Sequence, residues 1–446
     1  MRTRLPVVLG LATVLCYVSS GSPQVTSLPK KKGSTAAKRK TRKPAPPPVS
    51  ASMRADSVQR VDQYLNESGT HPFEQAGALV PFFEQLLRAG GESPSPVHII
   101  HWGDSHTAAD EWTGAIRDLF RERFGDGGSG FSVAGHPFRG YRRLDIHGGA
   151  TPLWQTAGGR AGYGDGWFGL GGVAQFTQRA GQALWLDAEC EFLEIHYLQQ
   201  PGGGRLGLYD GDQRLDTIVT DGDSAPGFKR YNVSAGPHRF LLRTLDTHPV
   251  RVFGWVADKA AGVTYEALGL NGAEAGVLLR WNEDMLASYM QRRNPGLIVL
   301  AYGTNEASDP AWLTDSYRDT FAHVVARVRQ LAPAASILVI GPDDRWIATG
   351  GRWRPLSGIE SIVADQKAVC RQQGCAYWDL RARMGGSGSM RDWVYAGFAQ
   401  NDHVHFTSTG YRRLGAVLFG DLMQQFETYR KSRVPTDQQL SHERPD

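Results

Sequence analysis

Cysteine is scarce, at four in 446 residues. That excludes a disulfide scaffold, and Cys370 with Cys375 has no second pair or nearby histidine to make a strong zinc motif. Long apolar runs are lacking too: the stretch from Leu5 to Val18 falls short of the ~20 residues that span a bilayer comfortably. No Walker A sequence and no internal repeat is visible. Acidic residues are absent from positions 1–50, which hold 10 Lys and Arg. The remainder therefore carries 39 basic against 45 acidic residues, net −6, although the whole chain is formally +4. A basic, nucleic-acid-binding body is excluded, because the positive charge sits in one tail. What is present is ordinary for a globular protein, 41% hydrophobic and 21% charged, while 53 Gly and 24 Pro predict many turns. At ~150 residues per domain, the length suggests two or three domains.

Met1-Arg2-Thr3-Arg4, the apolar run and the small residues Ser19-Ser20-Gly21-Ser22 have the form of a secretory signal, residues 1–22. An uncleaved anchor is the alternative, and either way the remainder is exported to the periplasm or cell envelope. Residues 23–52, with Lys30-Lys31-Lys32, Lys38-Arg39-Lys40 and Pro44-Ala45-Pro46-Pro47-Pro48, read as a solvated basic linker. It serves as a spacer, or makes weak electrostatic contact with an anionic wall or membrane surface. Cys16 falls in the signal. Export permits a Cys370–Cys375 bridge, leaving Cys190 odd and buried.

Two α/β stretches flank a different middle. Val97–Trp102 reads as a strand that turns through Gly103-Asp104-Ser105-His106 into a helix with Trp112, Ile116, Leu119, Phe120 and Phe124 on one face. Upstream, 55–66 and 73–89 look helical, with Pro81 as a break or kink. Later come strands at Leu297–Ala301, Ile337–Ile340 and Tyr377–Trp378, alternating with helices through Tyr317–Val328, over 358–373 and through Leu414–Leu422. Such alternation predicts a parallel sheet covered on both faces. From about 140 to 258 the periodicity is that of short strands between Gly and Pro turns, which predicts a β-sandwich.

In open α/β sheets, ligand sites lie at the carboxyl ends of strands. Ser105 stands at such an end, where helical N–H groups can receive the oxyanion that attack by a serine creates. Alone, Gly-Asp-Ser reads better as a helix N-cap, and no Gly-x-Ser-x-Gly elbow surrounds it. Two further strand-end groups change that balance. Gly303-Thr304-Asn305 places an amide after the 297–301 strand, and Asp402-His403-Val404-His405 opens the last helix. Asp402 and His405, three apart, allow the carboxylate to accept the imidazole N–H and leave the other nitrogen to take the serine proton. His403, adjacent to Asp402, points elsewhere.

These blocks together resemble the SGNH/GDSL hydrolase superfamily of esterases and acyltransferases, with Gly269-Leu270-Asn271-Gly272-Ala273 as the best match to its glycine block. The resemblance implies Ser105 as nucleophile, His405 as base and Asp402 as its orienter. The oxyanion hole would be the Ser105 and Gly272 N–H groups with the Asn305 amide. It implies a three-layer α/β/α domain needing no cofactor or metal. Ser105-His106-Thr107-Ala108, Trp378-Asp379-Leu380 with Met384-Gly385-Gly386, and the inserted β-domain look more closely like bacterial peptidoglycan O-acetylesterases, whose insert is carbohydrate-binding-like. The expected organisation is a first hydrolase segment over 53–138, the β-sandwich insertion over 139–260, a second hydrolase segment over 261–430 and a polar tail over 431–446. The implied substrate is an O-acetylated cell-wall polysaccharide, most closely muramic acid 6-O-acetyl in peptidoglycan. A polysaccharide O-acetyltransferase and a non-catalytic glycan-binding protein are the competing readings.

Several other features are decoys. His98 and His101 lie on opposite faces of a strand and read as packed residues, not metal ligands with His106. Gly164–Gly169 matches Gly-x-Gly-x-x-Gly, but no strand precedes it and no helix follows. Trp185 and Trp255 read as core, whereas Trp154 and Trp167, in Gly-rich loops, are candidates for an exposed sugar-stacking platform. Asn66-Glu67-Ser68 and Asn232-Val233-Ser234 are sequons only in a glycosylating host.

Overall fold

The computed structural model describes residues 49–67, 73–91, 95–159, 164–309 and 316–433. The expected signal, most of the basic linker, Cys16, Ser68 of the first sequon and the tail from 434 lie outside the described residues.

Among the described residues, six strands form the first sheet, in the order Phe73–Glu74, Ala376–Trp378, Ser336–Ile340, Leu297–Ala301, Val97–Gly103 and Val263–Gly269. All neighbours are parallel except the two-residue edge Phe73–Glu74, which runs antiparallel to 377–378. The near-continuous apolar strands 297–301 and 336–340 are buried throughout, as a sheet covered on both faces requires. Alternate residues separate the two cores. Ile100, Trp102, Ile298, Leu300, Ile337 and Val339 face helices Glu283–Arg293, Ser316–Leu331 and Gly358–Gln373. Val97, Ile99, Leu297, Val299, Leu338 and Ile340 face Val80–Ala89, Glu111–Phe124 and Ser408–Ser432. Pro81 sits in the first turn of Val80–Ala89, after a 3-10 turn at Ala76–Leu79, so it starts that helix instead of kinking a longer one.

The middle of the chain forms a second sheet, of nine strands among the described residues, dominated by antiparallel pairs. Its long members are Ala183–Gln199 and Ala225–Thr244, paired along most of their length with an irregularity between Asn232 and Gly236. Gly128–Val133 is paired with Val250–Asp258 in this sheet. Leu184, Leu186, Leu193, Ile195, Phe240, Leu242 and Trp255 share a core of their own.

Two expectations are corrected. Cys370 and Cys375 form no bridge; with Cys190 they are buried free thiols. Cys370 lies in the last turn of the helix Gly358–Gln373 and Cys375 just beyond its cap, where the Cys375 N–H donates to the Cys370 carbonyl. The main chain makes that closure without a disulfide. Trp154 is no exposed platform: it is 9% exposed and its Nε1–H donates to the Ala183 carbonyl at 3.2 Å. Trp167 is half-buried against the first core, Trp185 is half-buried, and Trp255 is core.

Candidate active site

Gly103, the last residue of the strand 97–103, has no room for a side chain: a Cβ would lie 2.1 Å from Thr107 Oγ1 and 2.9 Å from the Ala301 carbonyl. The chain turns at once into the short helix Ser105–Ala108, capped by Asp104, whose Oδ1 accepts the His106 N–H at 2.9 Å. Gly269, paired with Gly103 in register, gives the same turn its room, since a Cβ would meet the Ala108 nitrogen at 2.1 Å. Asp110, at φ 52°, breaks the path before the long helix Glu111–Phe124 begins. The expected single helix is thus two, and Ser105 stands at the corner.

Ser105 Oγ is 2.9 Å from His405 Nε2, across 300 residues of sequence. On the far side of the ring, Nδ1 lies 2.7 Å from Asp402 Oδ2, the geometry of an N–H donating to the carboxylate. Asp402 Oδ1 also accepts the main-chain N–H groups of Val404 and His405, both at 3.0 Å. Burial works against the ionised Asp402, but these hydrogen bonds outweigh it and bring its pKa down to about 2. The hydrogen bond to Asp402 raises the pKa of His405 above its ordinary value against partial burial, and the charges of Asp402, Asp343 and Asp104 assist. The His405 and Asp402 side chains keep 35% and 46% exposure. This relay can take the hydroxyl proton as Oγ attacks an ester.

The other expected residues lie close by. The Leu270 N–H donates to the Gly103 carbonyl at 2.9 Å, which lays the turn carrying Gly272 (φ 71°) beside the serine corner. Asn305 Nδ2 donates to the Ala273 carbonyl at 2.9 Å and makes a long 3.4 Å contact with Asp104 Oδ2, so the amide bridges the glycine block and the nucleophile block. His403 is outside the relay. It has φ 57° and stacks on Trp353 and Trp346. His98 and His101 point to different partners, His98 to Thr264 and Arg293, His101 to Tyr265. His106 Nδ1 pairs with Tyr411 Oη at 2.9 Å, and burial drops its pKa to about 3, leaving a neutral ring 5.4 Å from that of His405.

Three supporting groups escaped sequence reasoning. Glu306, 1% exposed, accepts the Gly303 N–H at 3.0 Å and the Ala275 N–H at 2.8 Å, clamping the Asn305 loop to the glycine turn; burial pushes its pKa up to about 8. Asp343 is buried behind the corner, accepts from Thr304 Oγ1 at 3.2 Å and lies 3.9 Å from His106 Nε2, and burial lifts its pKa to about 8 as well. The third is the hairpin Trp346–Thr349 and Arg352–Pro355, which lies against the His405 loop. Its signal was in the sequence, as Gly350-Gly351 between alternating residues is a hairpin turn.

Fold and site define a hydrolase class, and comparison agrees. The family model of GDSL-like lipases/acylhydrolases matches residues 236–413, which include Gly272, Asn305, Asp402 and His405; Ser105 precedes the matched segment. Residues 236–413 are thus GDSL-like lipase/acylhydrolase in sequence, which together with the structural likeness below supports a carboxylic-ester hydrolase. Among solved structures it is similar to a peptidoglycan O-acetylesterase, at 25% identity and a TM-score of 0.69, over 80% of this chain and 100% of that one. Family two carbohydrate esterases also match: one from Cellvibrio japonicus at 12% identity and TM-score 0.27, covering 63% of this chain and 98% of that one, and one from Clostridium thermocellum, in complex with cellohexaose, at 11% and 0.29, covering 57% and 95%. No curated protein matches in sequence.

Proposed function

We propose that this hydrolase removes O-acetyl groups from a cell-wall polysaccharide, most specifically the 6-O-acetyl of muramic acid in peptidoglycan. The observation that carries the reading is a hydrogen-bonded Ser105–His405–Asp402 relay left open at the surface, within a fold similar to a peptidoglycan O-acetylesterase. An exposed relay suits an ester hung on a bulky polymer, where a long acyl chain would call for an enclosed apolar tunnel.

Ser105 is the nucleophile. As Oγ bonds to the acetyl carbon, its proton passes to His405 Nε2, and Asp402 stabilises the imidazolium that results. The carbonyl oxygen, now negative, is received by the N–H groups of Ser105 and Gly272 and by the Asn305 amide. Collapse breaks the bond to the sugar oxygen, which leaves with the proton from His405, and an acetyl-serine remains. Water then attacks that ester while His405 takes its proton, and return of the proton to Ser105 Oγ releases acetate.

The antiparallel sheet, apart from its strand Gly128–Val133, is assigned to a carbohydrate-binding-like β-sandwich over 139–260, inserted between hydrolase segments 53–138 and 261–430. A cleft of about 610 Å³ on it, lined by Leu153, Gln155, Phe176 and Arg179 among others, is the place assigned to glycan contact. Residues 1–22 would direct export, and the periplasm or cell envelope holds the substrate. The test is acetate release from O-acetylated peptidoglycan by the wild-type chain beside Ser105→Ala. Release by the wild type alone is expected. Cleavage of a simple acetyl ester through Ser105 without release from the polymer would discard the peptidoglycan. Transfer of acetyl to an added oligosaccharide in preference to water would make the protein a transferase.

A further inference from the structure

The hairpin at 346–355 takes no part in the relay, yet it is fastened to both loops that build the site. Arg345 Nη1 donates to the Thr304 carbonyl at 2.8 Å, next to Asn305, and the Trp346 N–H donates to the His403 carbonyl at 3.0 Å. Gly350 and Gly351 both take positive φ, 59° and 78°, and close a two-residue turn between the paired Thr349 and Arg352. In that register Trp346 opposes Pro355 and Ala348 opposes Trp353, so the two tryptophans share one face of the ribbon. That face meets His403. The Trp353 and His403 rings are 4.1 Å apart and 19° from parallel, and Trp346 lies 5.8 Å away at 26°. Trp353 nevertheless keeps 41% of its surface exposed. A large indole held flat against a second ring, with the rest of it open beside the relay, offers an apolar face to a ligand. The stretch 345–356 also carries Arg345, Arg352 and Arg354 and no acidic residue.

We propose that Trp353, held flat by His403, is a sugar-stacking subsite that receives a pyranose ring of an anionic polysaccharide strand while the acetyl ester of that strand lies at Ser105. This rests on the polysaccharide reading above. The C–H face of a pyranose packs on an indole by apolar contact and by attraction of its polarised hydrogens to the ring's negative face. Arg352 and Arg354 project from the opposite face of the ribbon and act at longer range, drawing in a carboxylate-bearing strand. His403 is two residues before His405, so the platform and the base share one loop.

The experiment compares Trp353→Ala and Trp353→Phe with wild type on O-acetylated peptidoglycan and on 4-nitrophenyl acetate. For Trp353→Ala, kcat/KM on the polymer is expected to fall about ten times further than on the small ester, chiefly through KM, with Phe restoring most of it. Equal losses on both substrates would make Trp353 a mere prop for the His405 loop, and no loss on the polymer would remove it from binding; either overturns the proposal. A wild type that cleaves only the small ester would fail the polysaccharide esterase reading itself. The subsite is then judged by tryptophan fluorescence of Ser105→Ala with unacetylated glycan strands added. A quench that disappears in the Ser105→Ala/Trp353→Ala pair supports the platform, and no quench overturns it.

Discussion

At the scale of the residue, the site depends on how two side chains are held. Asp402 is fixed by three N–H donors, so it can fix the His405 ring in turn. His405 must be neutral to accept a proton, and its raised pKa places the acid limb of kcat/KM above the ordinary histidine value of ~6.5. Asp402→Asn removes the charge that holds it there. The limb is expected to move to lower pH and kcat to fall ~10²–10⁴-fold, both read from pH–rate profiles on a simple acetyl ester. Asn305 is assigned as an oxyanion donor, and Asn305→Ala should lower kcat ~10²–10³-fold. Activity within a few-fold of wild type would leave Asn305 only its link between Ala273 and Asp104. Ser105, Asn305, Asp402 and His405 were legible because each belongs to a short motif at an element boundary. Asp343 and Glu306 were not, since a lone carboxylate carries no signal until burial surrounds it.

At the scale of the element, glycines decide how closely the functional loops approach the sheet. The last helix, Ser408–Ser432, is capped by Thr407, and Gly410 in its first turn passes so near the preceding loop that a Cβ would lie 1.9 Å from the Phe398 carbonyl. That loop is joined to the His405 segment, because the Thr407 N–H donates to the same Phe398 carbonyl at 2.9 Å. Gly410→Ala must therefore push the helix and the base loop apart. A loss of about 1–3 kcal/mol in urea denaturation is expected, with esterase activity falling alongside. The helices at 111–124, 316–331, 358–373 and 408–432 were readable from their apolar faces. The strand Val263–Gly269 was missed, as was the hairpin at 346–355. The former carries Thr264 and Glu266, both fully buried, and Glu266 is paired with Arg293, so its polar residues hid a buried strand.

For the whole molecule, buried titratable groups set how stability follows pH. Burial depresses His101 and His106 to about 3, so between about 3 and ~6.5 the folded chain binds fewer protons there than the unfolded one, and stability rises with pH. Burial raises Asp343 and Glu306 to about 8 from ~4, so across that interval the folded chain binds more protons, and stability falls as pH rises. Above ~6.5 the histidine contribution is complete and the acids carry the trend, reinforced by the raised His405. The urea midpoint is therefore expected to drop between pH 6.5 and 8, and Asp343→Asn should flatten that drop whatever it does to the midpoint itself. A midpoint that rises over this interval would contradict the burial of these carboxyls.

Sequence alone determined the kind of elements and the chemistry at their ends. Apolar periodicity is local, so the parallel strands, their helices and the strand-rich middle could be read from it, and the spacing of Asp402 and His405 lies within one turn. What only the tertiary structure decided is long-range. It brought Ser105 within 2.9 Å of His405 across 300 residues, buried Trp154 while leaving Trp353 open, and left Cys370 and Cys375 as free thiols. Exposure, register and proximity follow from how the sheets and helices pack against one another, and that packing is a property of the whole chain, which no short window of sequence contains.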